Sequence, residues 1–66
     1  MTGEEFDQAQ RLLGLTDKEF GAAIGQSPSN IYSMRAGRRD IRLTVALAVR
    51  YRLIEAGHCT MDDFAT

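Results

Sequence analysis

The chain has 66 residues, of which 44% are apolar, with a formal net charge of −1 and a single cysteine. This length allows one small core, because a domain of about 60 residues buries only about 60% of its chain surface. No run approaches the roughly 20 apolar residues of a membrane helix, and the acidic N-terminus does not resemble a signal peptide. We therefore expect a single cytoplasmic domain over residues 1–66, without membrane contact.

The first predicted helix begins after Thr2 and ends at Gly14. Thr2 and Glu5 have the three-residue spacing of a helix cap at its start. Apolar residues at helical spacing form one side of this helix: Phe6, Ala9 and Leu13. The pattern is typical of an amphipathic helix that packs on a core.

The second and third predicted helices, about 17–24 and 28–36, are separated by a very short turn. Thr16 and Glu19 have capping-box spacing, and three residues share the apolar side of the second helix: Phe20, Ala23 and Ile24. Gly25 follows at once, and its tolerance of positive φ suits an abrupt helix end.

The third helix begins with Ser27 as N-cap and Pro28 at its first position, where a missing N–H is harmless. Ile31 and Met34 form its buried edge. Because so short a turn suits helices that cross at a steep angle, the pattern predicts a helix-turn-helix over about residues 16–37. The alternative is a plain antiparallel helix hairpin.

The fourth predicted helix, about 43–55, has two apolar stripes when its residues are placed at about 100° intervals. One stripe is Leu43, Leu47, Tyr51 and Ile54, and the other is Val45, Ala46, Val49 and Leu53. A helix at the edge of a small domain buries one face, so the spare stripe indicates a second copy across a two-fold axis. Alternatively, Met61 and Phe64 in a short tail helix, about 60–65, cover it.

Charge is distributed unevenly along the chain. Residues 1–20 carry five acids against two bases, whereas residues 21–54 carry six arginines against one acid, a net +5. The local field governs attraction of phosphate, and arginine grips phosphate or guanine bidentately. The pattern therefore favours nucleic-acid binding, the alternative being a solvated basic surface.

The central stretch resembles the helix-turn-helix of the phage repressor and Cro-like family, and the resemblance covers most of residues 3–55. The matching residues are Leu15, Thr16, Gly21, Gly25, Ser27, Ile31, Ala36, Gly37, Arg38 and Arg39. The resemblance implies an all-α, lambda repressor-like domain of four to five helices that binds double-stranded DNA. Two departures are notable: Asp17 replaces a glutamine that often contacts phosphate, and Arg35 replaces an acid often paired to helix one. Gln26 and Met34 also replace residues that are usually apolar and aromatic, respectively.

In such a domain the first turns of helix three enter the major groove. The candidate DNA contacts are Ser27, Pro28, Ser29, Asn30, Tyr32, Ser33, Arg35, Arg38 and Arg39. The Asn30 amide can pair bidentately with adenine. Arg38 and Arg39 are expected to bind the backbone, which positions the protein without specifying sequence.

Sequence alone thus predicts a small dimeric repressor that reads an inverted repeat. The candidate dimer contacts come from both stripes of helix four: Val45, Val49, Leu53, Leu47 and Tyr51. The alternative function is a protein-interaction module, such as an antitoxin or regulatory partner, using the apolar face of that helix. We expect no enzyme, because the sequence has no paired acids placed in a cleft and no phosphate loop, and we expect no cofactor or small-molecule ligand. We also expect no metal site, because Cys59 is alone beside His58 and two adjacent side chains cannot complete a tetrahedral site.

Overall fold

Four α-helices make up the part of the chain that the computed structural model describes, residues 1–58. They are α1 (Gly3–Leu13), α2 (Asp17–Ile24), α3 (Pro28–Arg35) and α4 (Leu43–Glu55). The all-helical class is confirmed, and within these residues there is no strand. The predicted tail helix, with Met61 and Phe64, lies outside the described residues, as does Cys59.

Side-chain caps determine where the first three helices begin. The Thr2 hydroxyl accepts from the Glu5 amide at 3.2 Å, and the Glu5 carboxylate accepts from the Thr2 amide at 2.8 Å. Thr16 and Glu19 repeat this reciprocal pair at 3.2 and 3.0 Å. Ser27 caps α3 by accepting from an amide in its first turn. These bonds satisfy backbone donors that have no partner within the helix, and the predicted caps are confirmed.

The core is formed where the four helices meet. The rings of Phe6 from α1 and Phe20 from α2 lie 5.0 Å apart between centroids and are tilted by 48°, a favourable arrangement for aromatic pairs. Helix α3 packs against α1 and α2, and α4 packs against the same two helices. The buried cluster comprises Phe6, Ala9, Phe20, Ile24, Ile31, Met34, Val45, Val49 and Leu53.

Helix α4 buries only one of its two apolar stripes. Val45, Val49 and Leu53 are 7%, 0% and 2% exposed, so they belong to the core. Their assignment as candidate dimer contacts is wrong, because a buried side chain cannot reach a second copy. Leu47 and Tyr51 remain candidates and are 46% and 62% exposed. No helix within residues 1–58 combines the length and apolarity needed to span a bilayer.

Candidate nucleic-acid interface

Helix α3 presents a polar outer face on the side opposite its core contacts. Ile31 and Met34 are buried, at 0% and 2% exposure. The outer side carries exposed Pro28, Ser29 and Tyr32, with Ser33 partly buried. Since three of these four residues have hydroxyl groups, this face can donate and accept hydrogen bonds.

The position of the first residues of α3 depends on a close contact between α2 and the turn that follows it. Gly21 is buried, and a Cβ at this position would overlap the carbonyl oxygen of Gln26. The Gln26 amide donates to the Gly21 carbonyl at 2.8 Å, and Gly25 has a φ of 75°. The small residue in the middle of α2 is therefore required by the turn, which joins α2 to α3 through only three residues.

The end of α3 folds the following arginines back along the helix. Gly37 has a φ of 75°, a left-handed conformation that glycine adopts readily. The amides of Arg38 and Arg39 then donate to the Ser33 carbonyl at 2.9 and 3.2 Å, and the Gly37 amide donates to Met34 at 3.2 Å. This Schellman-type closure directs the chain after the helix back toward the helix itself.

Both returning arginines contact side chains of α3. The Arg38 guanidinium carbon lies 5.8 Å from the centroid of the Tyr32 ring, within cation–π range. Arg39 Nη1 donates to Asn30 Oδ1 at 2.9 Å. Asn30 Nδ2 in turn donates to Gln26 Oε1 at 3.2 Å. One edge of the outer face is thus bordered by a chain of three linked polar side chains.

The opposite edge of α3 is bordered by a closed network joining three helices. Arg35 Nη1 donates to Asp17 Oδ1 at 2.6 Å and to Gln10 Oε1 at 2.7 Å, and Arg35 Nη2 donates to Asp17 Oδ2 at 3.2 Å. Gln10 Nε2 completes the ring by donating to Asp17 Oδ1 at 2.7 Å. The Arg35 guanidinium carbon also lies 5.7 Å from the centroid of the Tyr32 ring.

The network stabilises the charged forms of both ionisable partners. Hydrogen bonds from Arg35 and then Gln10 lower the pKa of the Asp17 carboxyl below its ordinary value of 3.8. The bond to Asp17 raises the pKa of the Arg35 guanidinium. The sequence predicts Arg35 as a DNA contact, but in the folded protein its charge is paired with a carboxylate.

The other predicted contact residues lie on or beside α3. Six of the nine candidates are exposed: Ser27, Pro28, Ser29, Tyr32, Arg38 and Arg39. Asn30, Ser33 and Arg35 are partly buried.

A depression of about 190 Å³ adjoins Arg39 and is lined by Gln26, Met34, Arg39, Asp40, Arg42, Thr44 and Val45. Three cationic side chains, Arg38, Arg39 and Arg42, are therefore exposed around the exit of α3.

Sequence reasoning missed two glutamines that organise this surface. Gln10 is 8% exposed and touches both Arg35 and Asp17. A signal was present, because Gln10 falls on the apolar side of the first helix, where a polar residue needs a buried partner. Gln26, noted only as a departure from the family pattern, holds Asn30.

Comparison with known proteins identified no relative of this chain. No family model, curated protein or solved structure matches the chain. The resemblance to the phage repressor and Cro-like family therefore depends on the residues of the helix-turn-helix pattern alone.

Proposed function

We propose that this chain is a sequence-specific double-stranded DNA-binding regulator, most simply a small dimeric repressor. The observation that carries the proposal is the polar outer face of α3 with Arg38 and Arg39 folded back beside it. A helix fits the major groove of B-DNA, where base edges display donors and acceptors. Arginines beside such a helix are placed to meet the phosphates that border the groove.

The residues of α3 and of the segment that follows it divide into two kinds of contact. Ser29, Tyr32 and Ser33 face outward and carry hydroxyls that can bond base edges or the backbone. Arg38 and Arg39 supply positive charge for phosphates. Few side chains on this face are long and bidentate, so sequence discrimination is expected to be modest.

Two of the departures from the family pattern, Asp17 and Arg35, offset each other. An aspartate at the start of α2 would repel a nearby phosphate, but Asp17 is bonded by two nitrogens of Arg35. The pair has no net charge, so Asp17 does not oppose docking of α3. This compensation supports the helix-turn-helix interpretation despite the unusual residues.

The proposed dimer uses the exposed stripe of α4. Leu43, Leu47 and Tyr51 follow one another at four-residue intervals and are 72%, 46% and 62% exposed. In an antiparallel contact between two α4 helices, Leu47 lies at the two-fold axis and Leu43 meets the partner's Tyr51. Such a contact is self-complementary, as an isologous interface requires, and it supplies apolar burial to a domain with a small core.

Selection of bound sequences from random double-stranded DNA tests the proposal. A dimer presenting two copies of α3 should enrich an inverted repeat whose half-site centres lie about 10 base pairs apart. A short domain bound there would exclude polymerase, which is why repression is the favoured mode. Enrichment of a motif without dyad symmetry would contradict the dimer, and absence of any enrichment would contradict DNA recognition.

A second candidate function is a protein-interaction module. It is favoured by the same α4 stripe, with Leu12 of α1 as another exposed apolar residue at 54%. A chain of this kind would bind a protein partner through α4 and would not need the arginines beside α3. Gel shifts of the parent and of Arg38→Ala separate the two functions, because only a DNA-binding protein shows salt-dependent shifts that weaken in the variant.

A further inference from the structure

Both ends of the Asn30 amide are already hydrogen-bonded within the protein. Its Oδ1 accepts from Arg39 at 2.9 Å and its Nδ2 donates to Gln26 at 3.2 Å. Bidentate recognition of adenine uses the same oxygen and the same nitrogen. Only the second N–H of Nδ2 and the second lone pair of Oδ1 remain for a base, and the contacts with Arg39 and Gln26 restrict the directions in which they can point.

The position of Asn30 on the helix also disfavours a role in base contact. Ser29 and Tyr32 are exposed at the centre of the outer face, whereas Asn30 is partly buried at its edge beside Gln26. Edges of a recognition helix lie toward the walls of the groove, where the phosphates are.

Arg39 is the exposed member of the chain of contacts. Its amide is bonded to the Ser33 carbonyl, and its guanidinium reaches Asn30, nine residues earlier. The contact with Asn30 Oδ1 uses one N–H of Arg39 Nη1, and a guanidinium has five N–H donors in a fixed fork. Arg39 also borders the depression shared with Arg42 and Thr44. Its remaining donors thus lie beside an open surface that also carries the guanidinium of Arg42 and the carboxylate of Asp40.

We propose that Asn30 is a positioning residue that holds Arg39 for a backbone phosphate and does not read a base. The inference rests on the proposed DNA-binding function and deepens it. Arg39 supplies the charge, and Asn30, itself held by Gln26, fixes the direction of the guanidinium before DNA arrives. Preorganisation of this kind raises affinity by reducing the ordering needed on binding.

A double-mutant cycle between Asn30→Ala and Arg39→Ala tests this assignment on the selected DNA site and on a scrambled duplex. Asn30→Ala should weaken both complexes alike, by about 3- to 10-fold, because the Arg39 side chain must then be ordered on binding. Arg39→Ala should weaken both further and flatten the plot of log affinity against log salt by about one unit. The double variant should bind as Arg39→Ala does, because Asn30 acts only through Arg39.

Arg38 provides the matched control, since it contacts Tyr32 and not Asn30. Asn30→Ala combined with Arg38→Ala should show multiplied effects, as independent sites do. Asn30→Asp keeps the oxygen that Arg39 contacts and lacks the amide donor that adenine N7 needs, so its selected motif should match the parent's.

Three outcomes would overturn the inference while leaving DNA binding intact. They are a changed base preference in Asn30→Ala, multiplied effects in the Asn30 and Arg39 cycle, and loss of an adenine position in Asn30→Asp. Failure of the parent protein to enrich any DNA is a different result, because it would reject the proposed function itself. Circular dichroism of each variant confirms that a loss of binding is not a loss of fold.

Discussion

Asp17 and Arg35 form a bidentate ion pair between α2 and α3, with Nη1–Oδ1 at 2.6 Å and Nη2–Oδ2 at 3.2 Å. Taken separately, one residue would repel DNA and the other would attract it. Together they present no net charge, and Gln10 ties both of them to α1. Two residues with opposite expected effects on DNA binding thus form, with Gln10, a connection among three helices.

The first prediction is that Arg35 makes no phosphate contact. The double variant Asp17→Asn with Arg35→Gln keeps the net charge and leaves side chains that can still hydrogen-bond each other. Its plot of log affinity against log salt should have the parent slope. Arg38→Ala, the comparison, should flatten that slope by about one unit. A similar flattening in the double variant would return Arg35 to the set of DNA contacts.

The second prediction concerns stability in acid. Because the folded protein lowers the pKa of Asp17 below 3.8, this carboxylate stabilises the fold above that pH. The contribution is lost as the pH falls through the lowered pKa. The free energy of unfolding, measured with urea, should therefore fall between about pH 6 and about pH 3 in both the parent and Asp17→Asn. The fall should be larger in the parent than in Asp17→Asn. Equal losses in the two proteins would exclude Asp17 as a source of acid sensitivity.

Glu5 and Glu19 also contribute to the loss of stability in acid, in the parent and in Asp17→Asn alike. Hydrogen bonds from the Thr2 and Thr16 amides lower the pKa values of these glutamates as well. Both carboxylates are retained in Asp17→Asn, so this variant should still lose some stability in acid. Only the difference between the two proteins reports on Asp17.

The third prediction concerns the approach of α2 to its turn. Gly21→Ala places a methyl group against the Gln26 carbonyl oxygen, which is backbone and cannot move without shifting the turn. We expect a loss of about 1–3 kcal/mol in the free energy of unfolding, measured by urea denaturation. Ala22→Ser, at the exposed neighbouring position, should change stability by no more than about 0.5 kcal/mol. Equal small effects would show that the turn accommodates a side chain.

The fourth prediction separates the two stripes of α4. Leu47→Glu should weaken dimerisation by at least about tenfold and leave the fold intact, because Leu47 is 46% exposed. Val49→Glu should unfold the domain, losing about 4 kcal/mol or more, because Val49 is fully buried. Sedimentation equilibrium and circular dichroism measure the two effects.

Leu12→Glu is the control for the dimer experiment. Leu12 is 54% exposed on α1 and receives the same change from an apolar to an acidic side chain. It should leave the association constant unchanged. A parent protein that is monomeric at concentrations of tens of micromolar, roughly those of weak dimers, would contradict the proposed interface.

Local chemistry allowed much of the helical framework to be predicted from sequence. Thr16 and Glu19 bond each other reciprocally across three residues, and the Ser27 hydroxyl caps α3 by accepting from the Asn30 amide. Gly25 adopts the positive φ expected at an abrupt helix end. These interactions depend on spacing along the chain, so a pattern in the sequence is sufficient to recognise them.

The partners of the polar side chains near α3 were decided only by tertiary structure. Arg35 meets Asp17 and Gln10 across 18 and 25 residues, and Arg39 reaches Asn30 because Gly37 reverses the chain. No periodicity encodes these pairs. The first set arises where three helices converge and the second where the chain turns back after α3, so Arg35 and Asn30, both expected DNA contacts, have partners inside the protein.

The orientation of α4 about its own axis is a third feature that the sequence left open and the tertiary structure decided. The sequence by itself determined that this helix has two apolar stripes, because that follows from residue order and helical period. Both stripes are similarly apolar, so the order of residues contains no preference for either. The choice of Val45, Val49 and Leu53 for the core came from packing against α1 and α2, since the orientation of a helix is set by the shape of the space its neighbours leave.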